Sequence, residues 1–182
     1  MSRVVVLLLC AWPLLADAQV LVQPAQTSLP PAPTAPLVSV ISLVIFVTVA
    51  ALVAICAGLH YRVLAFLSVA MGRMVRFRRE RVLVLILSLF LLHSLEIMLF
   101  ALGYDLLLDD RAYGALHGSG SDTLLDYAYF SGVIFTTLGL GDLVPTGSIR
   151  FMVAIEALLG FMLISWSAAF TYLEMERVWK HT

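Results

Sequence analysis

Three long apolar stretches divide the chain, with short polar intervals between them. Residues 37–59 carry no charged side chain. Residues 82–104 carry only His93 and Glu96, and residues 149–173 carry Arg150 near the start and Glu156 inside. Each stretch exceeds the ~20 residues that cross a hydrocarbon layer, so the pattern predicts three membrane-spanning helices. A fourth apolar stretch, residues 123–136, has helical spacing through Leu124, Leu125, Tyr127, Ala128, Phe130, Val133 and Ile134 but is too short to span. Thr123 and Asp126 stand three apart at its start, the signature of a capping box. Such a helix enters a membrane and stops partway. Residues 137–142 that follow then form non-helical backbone at membrane depth, which is tolerated only where it is buried in protein or lines a watery path.

Composition agrees: 62% of residues are hydrophobic and 13% charged, where soluble domains hold about half and a quarter. Residues 1–18 read as a secretory signal, with Arg3, an apolar run from Val4 to Leu9, and Ala16-Asp17-Ala18 as a small-x-small cleavage site. Residues 19–36, with Pro24, Pro30, Pro31, Pro33 and Pro36, read as an extended linker outside the cytoplasm. Cys56 lies in the first span and Cys10 in the signal, so no disulfide is expected.

Charge orients the spans. Residues 60–81 read as a basic cytoplasmic loop, holding Arg62, Arg73, Arg76, Arg78, Arg79 and Arg81 against Glu80 alone. The interval after residue 104 holds Asp105, Asp109, Asp110 and Asp122 against Arg111, which suits the outer side. Residues 174–182 then form a cytoplasmic tail. Arg73, Arg76 and Arg79 repeat every third residue as in a voltage-sensing helix. A sensor, however, needs its arginines inside a helical bundle, and a single span precedes these. The bland reading is an amphipathic segment, with Tyr61 to Gly72 along the interface and Arg73, Arg76, Arg78, Arg79 and Arg81 at anionic headgroups.

The chemistry concentrates in Thr136-Thr137-Leu138-Gly139-Leu140-Gly141-Asp142. Glycine tolerates the backbone angles that let successive carbonyl oxygens face one axis. Four such strands make stacked oxygen rings that replace the water shell of a cation. Span, short helix, Thr-Leu-Gly-Leu-Gly-Asp, span is an order that resembles the pore domain of the tetrameric potassium channels, across about residues 82–173. The Gly-Leu-Gly form is similar to the second filter of some two-pore-domain potassium channels. The arrangement also resembles small bacterial ion-channel proteins with one additional N-terminal span. The resemblance implies K⁺ sites at Thr137, Leu138, Gly139 and Leu140, with Gly141 closing the outer end, Thr136 and Asp142 supporting the filter, and Gly160 as the gating hinge. Two departures stand out. Leu140 replaces the usual tyrosine, and Val133 stands where some relatives carry a glutamate facing the aspartate, leaving Asp142 without that partner.

Ionisable groups within spans are costly and are usually paired or functional. His93 and Glu96 share a helix face. Glu96 and Glu156 both fall roughly 10–12 Å below the outer end of their helices, at about 1.5 Å per residue. They are therefore expected to meet His93 in one buried polar cluster behind the filter, and Gln at either carboxylate is expected to alter conduction or assembly. His93-x-x-Glu96 by itself offers too few ligands for a metal. The small residues Ser165, Ser167, Ala168 and Ala169 suit an inner vestibule.

The expectation is an all-α membrane protein with three transmembrane helices, one re-entrant pore helix and a selectivity filter per subunit, assembled as a homotetramer in the bacterial inner membrane. Its function is passive, K⁺-preferring cation conduction, with permeant K⁺ and no cofactor, no enzymatic role and no nucleic-acid partner. A weakly selective cation channel and a non-conducting pore-like scaffold or regulatory subunit are the alternatives.

Overall fold

The structure, a computed structural model, describes residues 35–73, 78–118 and 123–179. The signal segment, most of the linker, Arg76 and residues 180–182 lie outside the described residues. Helix α1 spans Ala35–Arg73, α2 spans Arg78–Leu108, α3 spans Leu124–Phe135 and α4 spans Ile149–Trp179. Two short strands, β1 (Ala115–His117) and β2 (Val144–Thr146), pair antiparallel with Leu116 opposite Pro145. α1, α2 and α4 are each long and apolar enough to cross a membrane.

The spanning helices outrun their apolar stretches: α2 covers Arg78–Leu108 rather than 82–104, and α1 and α4 are longer too. α1 continues to Arg73, so residues 60–73 are helix rather than loop. The cause is packing. Leu64, Leu67 and Met71 follow helical spacing and bury against Leu85, Leu89 and Leu92 of α2. Arg62 and Arg73 remain exposed. At its other end α1 takes in Ala35 and Pro36, residues read as linker. Proline is tolerated there because first-turn amides have no helical acceptor. α4 likewise runs beyond Leu173, where Glu174 is buried, bonds Arg177 at 2.6 Å and faces Arg81 of α2 at 4.0 Å.

The larger core lies toward the other end. Cys56 and Val49 of α1, Phe100 and Tyr104 of α2, Phe130 and Phe135 of α3, and Met152 and Leu159 of α4 all belong to it. α3 packs against both α2 and α4. The β1–β2 pair ties the segment after α2 to the chain that returns toward α4. Three-residue strands carry no readable period, and the sequence gives no sign of them.

Candidate functional site

α3 begins as its sequence specifies. The Thr123 hydroxyl accepts from the Asp126 amide at 3.2 Å, and the Thr123 amide donates to Asp126 Oδ2 at 3.1 Å. Its other end sets the backbone of the segment that follows. The amide of Thr137 donates to Ile134 O at 2.8 Å, and those of Leu138 and Gly139 donate to Val133 O at 2.9 and 3.2 Å. A trans peptide points its N–H and the preceding C=O in opposite directions. The carbonyls of Thr136, Thr137 and Leu138 therefore face away from α3.

Consecutive amides can share one side only if the backbone alternates in hand. Thr137, Gly139 and Gly141 have φ of 59°, 57° and 79°. For the two glycines this carries no side-chain penalty. Thr137 has a Cβ, and a left-handed conformation costs such a residue about 1–2 kcal/mol. Thr136, expected to support the filter, turns its hydroxyl back to Gly132 O of its own helix at 2.7 Å. The side chains of Leu138 and Leu140 stand exposed on the single chain.

Asp142 has a partner that the sequence reading missed. The Tyr129 hydroxyl donates to Asp142 Oδ2 at 2.7 Å. Accepting that bond, the carboxylate holds the Tyr129 phenol above its ordinary pKa. The clue was available: Tyr129 lies four residues before Val133, hence on the same helix face.

The expected cluster of His93, Glu96 and Glu156 forms as two separate groups. Glu156 accepts from Tyr104 of α2 and touches Ser131 of α3, both at 2.5 Å. Ser131 Oγ also lies 2.9 Å from Ile97 O. The single Ser131 proton thus has two acceptors within reach, Glu156 and the Ile97 carbonyl. Glu96 instead takes His93 Nδ1 on Oε2 and His60 Nδ1 on Oε1, each at 2.9 Å. The division has a plain cause: α3 delivers Ser131 to Glu156, and α1 delivers His60 to Glu96. His60 and Glu96 are fully buried. The second nitrogen of His60 lies 3.3 Å from Ser167 Oγ on α4. Ser167 thus turns inward, whereas Ser165, Ala168 and Ala169 are exposed. Arg150 is exposed at the start of α4.

Gly160 is buried within an unbroken α4. A methyl group at this position would run into the Phe135 carbonyl oxygen. Glycine here lets the end of α3 sit directly on α4.

No curated protein and no solved structure matches the chain. The profile of the ion channel family matches residues 82–175, from the start of the apolar part of α2 to near the end of α4. That is just over half of the sequence and covers α3 with the backbone segment it holds, so this multi-pass membrane protein belongs to the ion channel family.

Proposed function

We propose that the protein is a K⁺-preferring channel whose filter is the backbone of Thr137 to Gly141. One observation carries this reading: left-handed φ at residues 137, 139 and 141, with the amides of 137–139 bonded back to the end of α3. The free carbonyls then form one strand of oxygens, and four strands close the rings, so the assembly is a homotetramer. The exposed Leu138 and Leu140, with an open groove along Ile97, Met98 and Val133, supply an apolar face for a neighbouring copy. The end of α3 directs its partial negative charge toward the ion path.

In this reading Asp142 lies at the outer mouth and Tyr129 takes the part of the missing glutamate. The arginine-rich end of α1 and α2 lies in the cytoplasm near anionic headgroups, and residues 1–18 are removed on export. A bend at Gly160 would release its contact with Phe135 and so couple α4 to the filter. Leu140 offers no hydroxyl to tie the filter to its surroundings, which favours a modest K⁺ over Na⁺ preference as the second reading. Currents in planar bilayers with K⁺ on one side and Na⁺ on the other decide between them. A reversal potential near that of K⁺ supports the proposal, and one near zero supports the weakly selective channel.

A further inference from the structure

We propose that His60, His93 and Glu96 form a binding site for a first-row divalent cation of the zinc class, with water completing the coordination. Their ligand atoms all lie within 4.8 Å of one another. Two imidazoles and one carboxylate are the donor set that such ions take, commonly with an open position for water. Both histidines present Nδ1, each against a different oxygen of Glu96 at 2.9 Å. Tetrahedral ligands around zinc lie about 3.4 Å apart, so each His–Glu96 pair needs to open by about half an ångström, and the ligand nitrogens of the two imidazoles already sit within 4.8 Å of one another. The outer contacts also fit. His60 Nε2 faces Ser167 Oγ at 3.3 Å, and a hydrogen bond at the far nitrogen is what fixes a ligating imidazole.

Charge favours a cation here. Glu96 is fully buried in a membrane helix, and among the described residues its ion pairs are with these histidines. A carboxylate at that depth is costly without a positive partner. The site also touches every helix: His60 on α1, His93 and Glu96 on α2, the Phe135 ring of α3 beside His93 at 5.8 Å, and Ser167 on α4. Metal held there would clamp α1 to α2 and, through Ser167, to α4. This gives the additional first helix a regulatory task, independent of which ion the filter prefers.

The test uses untagged, full-length protein in detergent, stripped with a chelator and titrated with Zn²⁺, then with Co²⁺ as a visible reporter. One metal per chain is expected, with a cobalt spectrum of nitrogen and oxygen ligation. Losing a ligand in His93→Gln or Glu96→Gln should weaken Zn²⁺ by more than about a hundredfold, and Ser167→Ala by about tenfold. His117→Ala and His181→Ala should change nothing. His93, the partly exposed member, is the variant to rely on if Glu96→Gln does not fold, and the wild-type cobalt spectrum needs no variant. An absent cobalt band, affinity unchanged in His93→Gln, or binding lost in His117→Ala or His181→Ala would each overturn the site. None of these readouts involves a current, so they stand or fall apart from the channel reading.

Discussion

Tyr129 and Glu156 show what single residues contribute. Among the described residues, the Tyr129–Asp142 bond is the side-chain brace at the Asp142 end of the segment. Tyr129→Phe should therefore speed current decay and lower the K⁺/Na⁺ permeability ratio, read from reversal potentials. Because the Tyr129 pKa lies above its ordinary value of 10.0, the bond is fully present below that pH and is lost only above it. Currents between pH 6 and 9 should show no titration from this residue, and a wild-type-specific loss in that window would count against the brace. The sequence alone predicts that Glu156→Gln alters conduction or assembly. The contacts revise this, because glutamine keeps an acceptor for Tyr104 and offers an N–H to Ser131, whose own proton can go to Ile97 O, so Glu156→Gln should assemble and conduct nearly as wild type. Glu156→Ala leaves the buried Tyr104 hydroxyl without this partner, at about 1–3 kcal/mol, while Ser131 keeps Ile97 O. A clear drop in the thermal midpoint of the assembly is expected. The sequence led to both carboxylates but mispaired them. His60 was hidden because it stands just past an uncharged run and read as the first loop residue. Tyr129 was hidden because it stood outside the apolar positions that marked the helix and was given no role.

Elements were more legible than contacts. Long apolar runs marked α1, α2 and α4, and the Thr123–Asp126 box with the paired threonines bounded α3 to within a residue. What failed was the assumption that arginines end a helix. Buried leucines at helical spacing carried α1 through residue 73, and buried Glu174 carried α4 past 173. The contact between α3 and α4 rests on Gly160. Gly160→Ala should force the end of α3 off its seat and cost about 1–3 kcal/mol, as overpacking does. The prediction is a lower assembly midpoint together with reduced current. Reduced current with an unchanged midpoint would instead assign Gly160 to bending alone.

For the whole molecule, the single chain leaves much apolar side-chain surface uncovered. Lipid accounts for part of it, but Leu138 and Leu140 lie beside a polar backbone segment where lipid is a poor partner. Native mass spectrometry from detergent should therefore find four copies, and a monomer with ion flux would break the proposed geometry.

Conduction through the backbone of residues 137–141 is the central claim, and flux from proteoliposomes loaded with K⁺ tests it most directly. Gly139 has φ +57°, which costs alanine about 1–2 kcal/mol and displaces the carbonyls on either side. Wild-type protein should release K⁺ down its gradient, faster than Na⁺ under the same gradient, and Gly139→Ala of the same oligomeric size should release neither. Equal flux from wild type and Gly139→Ala, or no flux from correctly assembled wild type, would contradict the account.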